Sequence, residues 1–330
     1  MSDQSSKTVV YAALIGNLLI AITKFIAAAW SGSSAMLSEG VHSVVDTGNE
    51  GLLLYGMHRA KRPPDDHHPL GHGRELYFWS FIVALLIFAV GSGVSLYEGV
   101  LHILEPSPIS DARINYIVYG IAFVFEGTSW AIALRAFRRA NPGQGWLDAA
   151  TRSKDPPGFM VLFEDSAALI GIAIAALGTF AAEYFEEPIL DGVASIGIGL
   201  LLAATAAFLA RESKGLLIGE PARKGVRDSI GAIARAHEGV DRVIDLITVH
   251  LAPDQILVAL ALDFTDARTA GDIERDVAAL EEAIRSKHPE VRALFVRPQR
   301  ADVPRPARRL ASGIGPREGT ARERPTLQPE

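Results

Sequence analysis

The chain has 330 residues, 49% of them hydrophobic, with a mean hydropathy of +0.21 and a formal charge of −6. That is too apolar for an ordinary soluble protein, and the slight acidity argues against a nucleic-acid partner. Cysteine is absent, which excludes disulfides, thiolate metal sites and a cysteine nucleophile.

Apolar windows of roughly 20 residues, the length that crosses a bilayer, predict six spans before about Ser213. They cover 8–30, 34–57, 77–104, 114–137, 158–184 and 190–210. The opening MSDQSSKTVV lacks the basic stretch and cleavage site of a signal peptide, so the first span is expected to remain. Loop charge tests the count. Arg59, Lys61, Arg62 and Arg74 lie between spans two and three. Arg135, Arg138, Arg139, Arg152 and Lys154 surround the connection between four and five, and Lys214, Arg223 and Lys224 follow span six. The opposite loops, WSGSSA, EPSPISDAR and EYFEEP, together hold a single arginine. Positive charge favours the cytoplasmic side, so both termini are expected inside. Dropping the polar second span would break this alternation.

After Gly219 the pattern changes to a short helix over 226–237, strands over 243–251 and 256–264, a helix over 269–287 and a strand over 291–296. Thr269 and Asp272 are candidate caps of the second helix. The αββαβ order predicts a small α+β sandwich. The expected division is a six-helix transmembrane domain (1–212), a cytoplasmic α+β dimerisation domain (213–298) and a disordered tail (299–330).

Within this frame the polar residues in the spans stand out. His42 and Asp46 interrupt the second span, and Glu164 and Asp165 the fifth. A carboxylate at bilayer depth costs roughly 2.5–3.5 kcal/mol on insertion scales, so such groups tend to bind something. Residues i and i+4 of a helix lie about 5–6 Å apart at Cβ. The His42 imidazole and Asp46 carboxylate can therefore meet one ion at about 2.0–2.2 Å. Glu39 and Asn49 extend the same stripe. Adjacent Glu164 and Asp165 point about 100° apart and cannot both face an ion in the same way. Glu164 is open to three roles: second ligand, proton carrier or polar partner. Asn17 and Glu126 either line a cavity or make interhelical hydrogen bonds.

The loop with Asp65, Asp66, His67, His68 and His72 is either a metal-capture site or a proline- and glycine-shaped turn with structural histidines. His237, His250 and His288 stand alone and read as ordinary residues. An intramembrane metal-dependent hydrolase with Glu164 as base competes with a transporter, but no HExxH motif is present, so no enzyme is expected. A membrane metal sensor that binds without transporting is the other competitor.

Three motifs carry a resemblance. The first comprises Asn17, Lys24, the Gly-Ser-Ser-Ala-Met-Leu-Ser-Glu run at 32–39 and the following HSVVD. The second is HPLGHGRELYFW at 68–79, and the third is Asp191-Gly with Ile-Gly at 196–197. Over about 8–298 the chain resembles the cation diffusion facilitator family. The resemblance implies a Y-shaped homodimer in the lipid bilayer, with a cytoplasmic ferredoxin-like domain on each protomer. It implies export of Zn²⁺ or a similar ion from the cytoplasm in exchange for protons, the ion being substrate and not cofactor. It places the metal site on spans two and five, at His42, Asp46 and Asp165. Ligands must be deprotonated, so metal binding displaces protons, and His42 titrates nearest physiological pH. The site would also accept Fe²⁺, Co²⁺ or Mn²⁺.

Two departures stand out. Where the family has His or Asp four residues before Asp165, this chain has Val161, leaving Glu164, Asn17 or water to complete the shell. The strand Arg-Ala-Leu-Phe-Val-Arg-Pro carries no ligand, so dimerisation without the family's zinc cluster is expected. The Glu-Asp-Ser-Ala-Ala run at 164–168 and HSVVDTGNE look like the branch that includes the mitochondrial zinc-transporter-nine-like proteins. Composition and the lack of a transit peptide point instead to a bacterial inner membrane.

Overall fold

The computed structural model describes residues 2–109, 111–140 and 153–301, with the helical backbone alone for 2–16 and 140. Most of the expected tail lies outside the described residues. Among the described residues, six long helices come first: α1 (Ser2–Ser31), α2 (Ser34–Ala60), α3 (Glu75–Leu104), α4 (Ala112–Ala140), α5 (Pro156–Tyr184) and α6 (Ile189–Ile218). Among the described residues, α3 to α6 are long and apolar enough to cross a membrane, and α1 contributes the shorter apolar stretch Asn17–Ser31. The polar stripe of α2 lowers its hydropathy.

The packing is inverted relative to a water-soluble bundle. Leu19, Ile26, Ile117, Phe125 and Leu177 face outward, whereas Lys24, Glu39, His42, Asn49 and Asp191 are buried. An oily exterior around a polar interior suits lipid, where every polar group must find its partner inside the protein. The chain turns sharply from α1 into α2 at Gly32, whose φ of 73° favours glycine. Ser33 then caps α2, its Oγ accepting the Met36 amide at 3.1 Å. Asp191, in the first turn of α6, accepts hydrogen bonds from Ser33 Oγ (2.9 Å), the Ala35 amide (3.1 Å) and Thr179 Oγ1 (3.3 Å). One buried carboxylate thus fastens α2, α5 and α6 together. Helices α3 and α6 cross backbone to backbone: a Cβ added to Gly99 would lie 2.8 Å from the Gly192 carbonyl oxygen. Within α3, residues Ile87–Ser92 form a π-helical stretch.

The C-terminal domain contains α7 (Lys224–Ala236), β1 (Val240–Ala252), β2 (Gln255–Phe264), α8 (Ala270–Lys287) and β3 (Val291–Pro298). This is the αββαβ order read from the sequence. The sheet runs β1-β2-β3. Strands β1 and β2 are antiparallel, with His250 opposite Ile256, and β2 and β3 are parallel, with Leu260 opposite Val296. Ile230, Val258, Leu262, Leu280 and Ile284 form its buried core. Thr269 and Asp272 make a reciprocal capping box at the start of α8. The domain is tied to the bundle by an ion pair between Lys154 and Glu220, by the His250 amide donating to the Glu220 carbonyl at 2.9 Å, and by close contact of Gly73 with Leu251 and Ala252.

Candidate functional site

Helix α2 turns Glu39, His42, Asp46 and Asn49 toward the bundle interior, as their spacing of three, four and three residues requires. His42 Nδ1 lies 3.3 Å from Asp46 Oδ1. Yet both His42 ring nitrogens and Asp46 Oδ1 are buried without a hydrogen-bond partner. A buried polar group left unmade costs about 1–3 kcal/mol, and three such atoms within one helical turn would be an expensive accident. A divalent cation would satisfy the Asp46 oxygen and one of the two imidazole nitrogens, because imidazole nitrogen and carboxylate oxygen are its preferred donors. The donor set present therefore fits a metal ion.

From α5, Glu164 and Asp165 reach different neighbours, as the turn of about 100° between adjacent helical residues allows. Glu164 Oε1 accepts from Asn49 Nδ2 at 2.8 Å, whereas Asp165 Oδ2 accepts from Ser129 Oγ of α4 at 2.9 Å. Both carboxylates, with Glu126, lie within electrostatic range of Asp46. In this conformation the four sequence-singled residues are not drawn into one tight ligand cluster. Among the described residues, the group of three or more potential ligands within 4.8 Å of one another is Asp65, His68 and His72.

That loop is a shaped turn that also brings potential ligand atoms together. The Asp65 amide donates to the His68 carbonyl and the His68 amide to the Asp65 carbonyl, while Gly71 takes a φ of 86°. Asp65 Oδ1 accepts the His67 and His68 amides at 3.0 and 2.7 Å. The same fold places His68 Nδ1 3.2 Å and His72 Nε2 3.4 Å from the Asp65 carboxylate. His72 Nδ1 sits 3.3 Å from the Pro63 carbonyl, which favours a proton on that nitrogen and leaves Nε2 as a ligand atom. Desolvation, the largest single influence, works to raise the Asp65 carboxyl; the His68 amide and ring and the nearby His72 together outweigh it and hold the group below its ordinary value.

Between this end of the bundle and the C-terminal domain lies a cavity of about 880 Å³, walled by Lys61, Phe137, Lys154, Asp155, Val161 and the Ala252–Gln255 turn, among others. Val161 lies one turn before Asp165, so the cavity reaches α5 within a turn of that carboxylate, on the side of the C-terminal domain. The position that lacks a ligand borders this opening.

Sequence reasoning missed two partnerships. Asn17 Nδ2 donates to Glu50 Oε1 at 2.9 Å, which settles Asn17 as an interhelical hydrogen-bond donor and brings Glu50, four residues beyond Asp46, into the interior. Lys24 forms a buried ion pair with Glu39. The first had a signal, since Glu50 continues the α2 stripe. In the C-terminal domain, His250 Nδ1 lies 3.1 Å from the Ala252 carbonyl, His288 Nε2 lies 2.9 Å from Ser229 Oγ, and His237 Nδ1 accepts the Gly239 amide at 3.3 Å.

Comparison with known proteins follows the same lines. Residues 10–218 match the cation efflux transmembrane domain family. Metal tolerance protein C4 of Arabidopsis thaliana is 33% identical over 266 residues, covering 80% of this chain and 58% of that protein. The mitochondrial proton-coupled zinc antiporter SLC30A9 of Mus musculus is 30% identical over 258 residues, covering 78% of this chain and 46% of its own length. The chain thus spans about half the length of these two relatives. Cation-efflux pump FieF of Escherichia coli is 24% identical over 307 residues, covering 92% of this chain and 96% of FieF. With its polar-centred helical bundle and small C-terminal sheet, the chain belongs to the cation efflux, or cation diffusion facilitator, family of membrane transporters.

Proposed function

We propose that this protein exports a divalent cation, Zn²⁺ foremost, from the cytoplasm in exchange for protons, by alternating access across six spans. The observation that carries the reading is the set of His42 ring nitrogens and Asp46 Oδ1, buried without a hydrogen-bond partner. His42, Asp46 and Asp165 would hold the ion. Glu164, fixed through one oxygen by Asn49, would supply the donor absent at Val161. The cavity beside Val161 would be the cytoplasmic entrance. Protons arriving from the far side would compete for the same imidazole and carboxylates and release the metal. Asp65, His68 and His72 in the loop would capture metal near that entrance. We read the protein as a homodimer joined through a ferredoxin-like C-terminal domain (213–298), in a bacterial inner membrane with both termini cytoplasmic. The transmembrane domain would be 1–212. Dimerisation would need no zinc cluster in that domain, whose histidines are engaged locally.

The test is metal flux into proteoliposomes under a pH gradient, for Zn²⁺, Fe²⁺, Co²⁺ and Mn²⁺, comparing wild type with Asp46→Ala and Asp165→Ala. Gradient-driven flux of one ion, lost in both variants, supports the exchanger and identifies its cargo. Stoichiometric metal binding with no flux of any ion would replace it with a membrane metal sensor.

A further inference from the structure

Glu39 shares a helical face with His42 and Asp46, at spacings of three and seven residues. By position it belongs to the stripe that would ligate the metal, yet another cation already holds it. Lys24 Nζ, reaching across from α1, donates to Glu39 Oε2 at 2.9 Å and to Ser43 Oγ at 2.7 Å. Both charged side chains are 0% exposed. The other carboxylate oxygen, Glu39 Oε1, is buried without a partner. It lies against α5 where Gly171 leaves room: a Cβ there would stand 2.5 Å from it. Lys24 is also within electrostatic range of His42, Asp46 and Glu126. A buried ion pair has to offset the desolvation of both charges, and losing one partner leaves the other needing a counter-charge.

We propose that Lys24 is a positioning residue: its ammonium holds the Glu39 carboxylate out of the metal shell and so keeps the ion releasable. This rests on the reading of His42 and Asp46 as metal ligands. A transport site has to bind its ion weakly enough to let it go on the other side, and each added carboxylate strengthens the grip on a divalent cation. Lys24 and a metal ion compete for the same carboxylate. While Lys24 occupies it, the shell is limited to the donors farther along α2 and those from α5. With Lys24 replaced by an uncharged residue, the Glu39 carboxylate would be left to the transported metal for its counter-charge.

The experiment is Zn²⁺ binding to the purified full-length protein in nanodiscs, by competition with a fluorescent chelator, for wild type, Lys24→Met, Glu39→Gln and Lys24→Met/Glu39→Gln. Lys24→Met is expected to bind Zn²⁺ at least tenfold more tightly and to transport it more slowly. The double variant, which removes both charges, is expected to return to within about threefold of wild type. Glu39→Gln leaves an unneutralised ammonium near the site and is expected to bind at least tenfold more weakly than the double variant. A merely structural pair would change thermal stability but would not tighten metal binding. Should Lys24→Met fail to fold, equal affinities in Glu39→Gln and the double variant overturn the proposal. Unchanged or weaker binding in folded Lys24→Met, with wild-type binding still abolished by Asp46→Ala, overturns this role alone. A wild type that binds no Zn²⁺ overturns the site reading and this role together.

Discussion

Replacing Asn49 with leucine tests whether Glu164 is a ligand held in place or a bystander. Asn49 is fully buried on α2 and donates to Glu164 Oε1 across the α2–α5 interface at 2.8 Å. Leucine keeps the same branched side-chain outline with bulkier ends, so the change removes the donor at the cost of some local crowding. A hydrogen bond to a charged group contributes about 1.5–3 kcal/mol. If that bond orients Glu164 for the metal, its loss weakens binding by the same order. At 1.4 kcal/mol per tenfold, the expected fall in Zn²⁺ affinity is about 10- to 100-fold, the range for outer partners of metal ligands. The assay is chelator competition with full-length protein whose folding is checked by gel filtration. Glu164→Gln is expected to weaken binding by at least as much. Adding Asn49→Leu to Glu164→Gln should then cost little more, because both act through the same oxygen. A folded Asn49→Leu protein that binds Zn²⁺ within threefold of wild type would refute the reasoning and leave Glu164 as a structural acceptor.

The remaining expectations concern other parts of the molecule. Leu280 is 0% exposed in the C-terminal core, so Leu280→Ala should destabilise that domain by about 2–5 kcal/mol, read by chemical denaturation. Burial is the main force holding the His250 imidazole below its ordinary value of 6.5. The unfolded chain then binds the proton more readily, so stability is full above about that pH and is lost as pH falls through the folded value. The loss of thermal stability between pH 7.5 and 5.5 should shrink in His250→Gln; an unchanged loss would assign it to other groups. In the loop, Asp65→Asn combined with His72→Gln should lower the stoichiometry of Co²⁺ bound per protomer, read by absorption spectroscopy. Unchanged stoichiometry would mean that the loop is a shaped turn only. At the α3–α6 crossing, Gly99→Val should force the two backbones apart and reduce folded protein recovered from membranes, as overpacking does.

Much of the architecture was legible because its signals are local. The strands and helices of the C-terminal domain announce themselves through β-branched alternation and capping residues, and the observed β1 and β2 extend the expected ones by only a few residues. The α2 stripe was visible because polar residues are rare in apolar windows and the positions 39, 42, 46 and 49 fit one helical face. Pairings between helices were not legible. Nothing local says that Lys24 meets Glu39, that Asn17 meets Glu50, or that Glu164 and Asp165 part company toward α2 and α4. Those partnerships depend on which helices pack and at what rotation. That follows from close contacts such as Gly99 on Gly192, which link residues about ninety positions apart. The two readings of the 65–72 loop could not be separated by sequence because both use the same residues, and the structure shows them to be compatible.

The cavity beside Val161 has walls of two origins: helices of the bundle, and the Ala252–Gln255 turn between β1 and β2. The turn is synthesised after every helix of the bundle, so the mouth acquires its final shape only when β1 has folded back against Gly73. A nascent or truncated chain ending at Ile218 would carry the inner polar residues complete but an unfinished threshold. The C-terminal domain therefore completes the wall of a cavity whose other side the bundle already supplies.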